Sequence, residues 1–91
     1  MSEKYNNFPE QITVFSASWC PDCKQARKLL DENQITYLLV DIGKDNEGFL
    51  FVEKLTRRVK IPTIIFPDGT IMIEPSNTDL NRKLESLKNE P

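Results

Sequence analysis

The sequence of 91 residues predicts an α/β fold of order βαβαββα, a four-stranded mixed sheet flanked by helices, in one domain over residues 1–91. Three observations predict it. Short β-branched and apolar runs alternate with stretches of helical period, which places the first two strands parallel through a helix. A turn containing Asp68-Gly69 joins the last two strands as an antiparallel hairpin. At 38% hydrophobic and 29% charged, the composition is that of a soluble globular chain with an adequate core.

Residues 11–16, QITVFS, read as a short buried strand. Residues 21–33 then take helical period: Cys23, Ala26, Leu29 and Leu30 share a face, while Lys24, Gln25, Arg27, Lys28, Asp31 and Glu32 fall largely off it. Residues 36–42, TYLLVDI, form a second strand, apolar enough to be covered on both sides. After Gly43 and the polar Lys44-Asp45-Asn46, a second helix runs from residue 47 to about 58 with Phe49, Val52 and Leu55 inward. Residues 63–66 and 71–74 are the hairpin strands around Pro67-Asp68-Gly69-Thr70. Ser76, with Asp79 three residues on, opens the last helix like a capping box; Leu80, Leu84 and Leu87 are its inner stripe. The aromatic side chains, Tyr37 and Phe49 among them, are assigned to the core.

A net charge of −2 gives no reason to expect nucleic acid or an anionic membrane as partner. No apolar run approaches the roughly 18 residues of a membrane span. Met1-Ser2-Glu3-Lys4-Tyr5-Asn6-Asn7 has no hydrophobic signal core, so a cytoplasmic protein is expected. A monomer is expected as well. In a reducing cytosol the only two cysteines, Cys20 and Cys23, read as catalytic or metal-binding rather than as a static bridge. Zinc takes four Cys or His ligands and the chain has no histidine, so no metal site is assigned; only a dimer sharing both pairs would complete one.

Cys20 stands where the first strand ends and the first helix begins, and Pro21 suits the first helical position. Free backbone N–H groups and the helix dipole there stabilise a thiolate, which makes Cys20 the nucleophile. Cys23 lies one turn further in on the apolar face, less exposed, with the resolving role. Asp22 suits the dipole but opposes a thiolate at Cys20. Lys24, Arg27 and Lys28 either offset that charge or are a solvated face. Further on, Pro62 opens a strand, where proline is tolerated. A cis Ile61–Pro62 bond there would leave the Ile61 backbone free to pair an extended substrate beside Cys20.

Trp19-Cys20-Pro21-Asp22-Cys23 and Ile61-Pro62-Thr63, with a βαβ unit between them, resemble the thioredoxin superfamily, in particular the small glutaredoxins. The resemblance covers about residues 11–87. It implies a thioredoxin-like fold, thiol–disulfide oxidoreductase activity, Cys20 as nucleophile, a cis Pro62, and supporting positions at Trp19, Pro21, Asp22 and Ile61. Thioredoxin itself has Cys-Gly-Pro-Cys and a buried aspartate where this chain has Val14. Glutathione-using glutaredoxins carry Cys-Pro-Tyr-Cys and a Gly-Gly step before the last helix; here that segment is Glu74-Pro75-Ser76-Asn77-Thr78-Asp79, of which Thr78 and Asp79 match. Arg57, Arg58, Lys60 and Thr63 complete the implied small-thiol site, the basic residues being alternatively only the end of the second helix. Phe66-Pro67-Asp68-Gly69-Thr70, then Glu74-Pro75-Ser76, resembles the mycoredoxins, which serve another low-molecular-weight thiol, and the tryptophan before the first cysteine is similar there.

The expected function is reduction of protein disulfides or protein–small-thiol mixed disulfides. No bound cofactor is expected, and glutathione or a substitute thiol is the co-substrate. Expected partners are disulfide-containing proteins, the small thiol, and a flavoenzyme of the thioredoxin-reductase type. One alternative is a dithiol donor recharged by that reductase, for example for ribonucleotide reductase. Another is a dimeric module holding a metal or iron–sulfur cluster through Cys20.

Overall fold

A computed structural model describes residues 4–88; of the segment read for a signal core, Met1, Ser2 and Glu3 lie outside them. The elements are β1 (Ile12–Ser16), α1 (Pro21–Glu32), β2 (Tyr37–Asp41), α2 (Asn46–Thr56), β3 (Thr63–Ile65), β4 (Ile71–Ile73) and α3 (Asn77–Lys88). They build one four-stranded mixed sheet of order β2-β1-β3-β4. β1 pairs parallel with β2, Val14 opposite Leu39, and antiparallel with β3, Val14 opposite Ile64. β3 and β4 form the hairpin, with Ile64 opposite Met72.

The alternation of side chains along β1 divides the core. Ile12 and Val14 pack with Leu30, Ile64, Phe66, Leu80 and Leu84 under α1 and α3. Phe15 packs with Val40, Ile42, Val52 and Ile65 under α2. Every residue of β1 is buried, as a strand with neighbours on both edges and helices on both faces must be. The ring of Tyr5 meets Phe15 edge-on at 5.2 Å, which ties the N-terminal segment to the α2 face.

Two sequence expectations need correction. β2 is not covered on both sides: it is the sheet's edge, and Leu38 and Leu39 are 42% and 43% exposed. Its apolar composition is that of an inner strand, but strand order is set by long-range pairing that composition does not carry. The aromatics are not all core either, because Phe8 is 70% and Trp19 67% exposed.

The helix starts follow local chemistry. Ser76 Oγ accepts the Asp79 N–H at 3.0 Å, and Asp45 Oδ1 accepts the Gly48 N–H at 3.0 Å. α2 stops at Arg57, whose φ of 63° is left-handed, so Arg57 and Arg58 belong to the loop leading toward β3. The hairpin turns at Gly69, φ 88°, and is held to α3 by Lys83, 2.8 Å from Asp68 and 5.1 Å over the Phe66 ring.

Candidate active site

At the end of β1 the Cys20 N–H donates to Ala17 O at 3.2 Å, and the tight turn aims the chain into α1. Cys20 is the N-cap, with extended backbone at φ −101°, ψ 105°, and Pro21 fills the first turn where its missing N–H leaves nothing unpaired. Cys20 Sγ accepts the Cys23 N–H at 3.2 Å. Sulfur thus occupies the place that an oxygen takes at most helix starts.

The second wall comes from the loop before β3. The Ile61–Pro62 peptide is cis, as the resemblance implies. The Cys20 thiol donates to Ile61 O across 3.8 Å. That loop is anchored on either side of Ile61: Pro62 O accepts the Glu74 N–H at 2.8 Å, and Thr63 Oγ1 donates to Lys60 O at 2.7 Å. Among the described residues the Ile61 N–H has no acceptor.

The two thiols are free and differ in environment. Cys20 keeps 8% of its surface, whereas Cys23 keeps none. Burial, and then the hydrogen bond with Cys20, push the Cys23 thiol up to about 12, against the opposing pull of the Ala17 backbone and the Arg27 charge. Cys20 is therefore the sulfur a substrate can reach, and Cys23 waits behind it as a thiol.

Cys20, Pro21, Cys23, Ile61 and Pro62 come together at this end of the sheet. Trp19 stands beside them with its ring over Gly43: a Cβ there would lie 3.0 Å from Trp19 Cζ3. Asp22 is exposed on the first turn of α1. Arg57, Arg58 and Lys60 are exposed in the loop that leads to Ile61. Thr63 is fully buried and its hydroxyl is engaged, so it shapes the loop from inside. Thr78 and Asp79 are exposed on the first turn of α3, and Asp79 is 3.9 Å from Arg82. No hydrogen bond among the described residues links Thr78 or Asp79 to Cys20 or Ile61. Sequence reasoning missed Gly43 and Glu74, the latter left-handed at φ 48° and bonded to Pro62. Gly43 had a signal, a lone glycine after a strand; Glu74 stood in the mycoredoxin-like segment, but nothing local marked its bond to Pro62. Among the described residues no group of three or more His, Cys, Asp or Glu side chains is placed to hold a metal ion.

The comparisons with known proteins agree with this geometry. The glutaredoxin family model matches residues 12–71, a span that includes both cysteines and Pro62. Mycoredoxin 1 of Corynebacterium glutamicum is 31% identical over 77 residues, covering 84% of this chain and 95% of that protein. Glutaredoxin-2 of Schizosaccharomyces pombe is 31% identical over 74 residues, covering 78% of this chain and 64% of its own length. A wheat glutaredoxin crystal structure superposes with a TM-score of 0.71 at 22% identity, over 89% of this chain and 80% of that one, which shows the shared fold. With a family model matched through its site and a near full-length relative beside it, the chain belongs to the glutaredoxin family and is a thiol–disulfide oxidoreductase.

Proposed function

We propose that the protein reduces protein disulfides and protein–small-thiol mixed disulfides through Cys20-Pro21-Asp22-Cys23. The Cys20 thiolate attacks one sulfur of the substrate disulfide. The Cys20–substrate S–S bond forms as the substrate's own S–S bond breaks, and the departing thiolate takes a proton from solvent. Cys23 then loses its proton and attacks Cys20, releasing the second substrate thiol and leaving a Cys20–Cys23 disulfide. The substrate gains two electrons and the protein dithiol loses two. Two molecules of a small thiol, which leave joined as their own disulfide, or a flavoenzyme acting on the Cys20–Cys23 bond, restore the dithiol. The carrying observation is the contrast between the two sulfurs: Cys20 at the helix cap beside Ile61 O, and Cys23 fully buried behind it.

Pro62 and Ile61 serve this reaction by presenting backbone to an extended substrate next to Cys20. Trp19 offers an exposed apolar face on the other side. Arg57, Arg58 and Lys60 receive the carboxylates of a small thiol, with Thr78 and Asp79 as the more remote candidates. The mycoredoxin relative favours a thiol other than glutathione. The test compares wild type, Cys23→Ser and Cys20→Ser, with glutathione, mycothiol or thioredoxin reductase as donor. Cys23→Ser should turn over protein–small-thiol mixed disulfides with one small thiol and lose reduction of protein disulfides. Turnover by Cys20→Ser would overturn the assignment. Activity of wild type with the reductase alone would replace the small-thiol reading by that of a dithiol donor.

A further inference from the structure

Arg27 has no role in the account so far, and its surroundings are unusual for an arginine. It sits on α1 four residues after Cys23, a spacing that puts two side chains on neighbouring ground of one helix face. Its Nε is buried and has no hydrogen-bond partner among the described residues. A buried guanidinium N–H normally finds an acceptor, because leaving it unpaired is costly. The acid one turn further on, Asp31, does not answer it, for Asp31 Oδ1 accepts from the Tyr37 hydroxyl at 3.1 Å. Lys24 and Lys28, by contrast, are exposed on the same helix.

The i,i+4 spacing sets Arg27 beside Cys23 on α1, with its buried Nε unpaired among the described residues. The titratable groups acting on Cys23 are Cys20 and Arg27, in opposite directions: Cys20 raises it and Arg27 lowers it. Once Cys20 is tied to a substrate in a mixed disulfide, its sulfur carries no charge, and its opposition to a Cys23 thiolate ends. Burial still opposes that thiolate. The Ala17 backbone hydrogen bond and, after it, the Arg27 charge remain to favour that thiolate at the step where Cys23 must ionise.

We infer that Arg27 is a positioning residue for the resolving step, its guanidinium stabilising the thiolate that Cys23 forms as it attacks the Cys20 mixed disulfide. This rests on the proposed resolving role of Cys23. Bonds and electrons are those of that step: the Cys20–substrate bond breaks, the Cys20–Cys23 bond forms, and the Cys23 proton leaves with the substrate thiol. Arg27 exchanges neither proton nor electron.

The experiment uses Arg27→Gln and Arg27→Lys in the otherwise native chain, loaded at Cys20 with a small-thiol mixed disulfide. Release of the small thiol after a jump to neutral pH reads the resolving rate. A tenfold smaller thiolate population is partly offset by a more nucleophilic sulfur, so Arg27→Gln should slow release about threefold. Arg27→Lys should recover most of the rate. In a Cys20→Ser background, thiolate absorbance should show Cys23 titrating at higher pH with Gln than with Arg. Formation of the mixed disulfide by Cys20 should not slow, which separates this role from a general loss of structure. Unchanged release in Arg27→Gln overturns the inference, as does equal slowing of the first attack. If Cys23→Ser alone leaves protein-disulfide reduction intact, the resolving role itself fails and the inference falls with it.

Discussion

The starts of α1 and α2 are nearly the same structure put to different uses. Each N-cap residue has extended backbone, Cys20 at φ −101°, ψ 105° and Asp45 at φ −111°, ψ 101°. Each side chain accepts the N–H three residues on, Cys23 at 3.2 Å and Gly48 at 3.0 Å. The difference lies in what else holds the acceptor. Asp45 also accepts from the Tyr5 hydroxyl and pairs with Lys4 at 3.1 Å, so its carboxylate is fully engaged and fastens the N-terminal segment to α2. Cys20 has only the long contact to Ile61 O, 3.8 Å away. The same cap geometry thus holds a carboxylate with three partners at α2 and a thiol with a single further, long contact at α1.

Exchanging the chemistry of the two caps tests that comparison, and the largest effect belongs to Cys20. Cys20→Ser keeps an acceptor at the cap, so chemical denaturation should find stability within about 0.5 kcal/mol of wild type, while disulfide reduction falls to background. Appreciable activity in Cys20→Ser, or a large loss of stability, would break the comparison. Asp45→Ala is the mirror image. It removes the cap and the Tyr5 anchor together, and should cost about 1–2 kcal/mol in urea unfolding with activity little changed. The smallest effect is expected at the third helix start, where Ser76→Ala removes one hydrogen bond at an exposed site and should cost about 0.5–1 kcal/mol.

The α2 cap also predicts a pH dependence. The Tyr5 hydroxyl, and after it the Gly48 N–H, hold the Asp45 carboxyl down to about 2. A carboxyl depressed on folding stabilises the fold above its unfolded value, about 4, and loses that contribution as pH falls through that value toward the folded one. Asp68, held well below the usual carboxylate range by Lys83 and Thr70, acts in the same sense. Stability measured from pH 5 to pH 2 should therefore fall, and Asp45→Asn should make the fall shallower. An identical pH profile in Asp45→Asn would show that the cap is not what titrates.

Local features of this kind are what a sequence carries. Pro21 behind Cys20, Ser76 before Asp79 and Asp68-Gly69 between two apolar runs each act over three or four residues, and each is where local chemistry puts it. Joining Cys20 to Ile61, 41 positions away, took family resemblance, because no periodicity links the two. Features made by distant segments were not legible. The edge position of β2 depends on which strand pairs where, and the fastening of Tyr5 to Asp45 spans 40 positions. Arg27 read, with Lys24 and Lys28, as an offset to Asp22 or a solvated face, since nothing local distinguishes an arginine whose Nε is buried from its exposed neighbours.

The central claim is that the two sulfurs divide the work, with Cys20 attacking and Cys23 resolving. The most direct measurement is mass spectrometry of the complex trapped when each single-cysteine variant, Cys23→Ser and Cys20→Ser, meets a disulfide-containing protein. The account predicts a stable mixed disulfide through Cys20 in Cys23→Ser and none in Cys20→Ser. A mixed disulfide through Cys23 in Cys20→Ser, formed at a comparable rate, would contradict it.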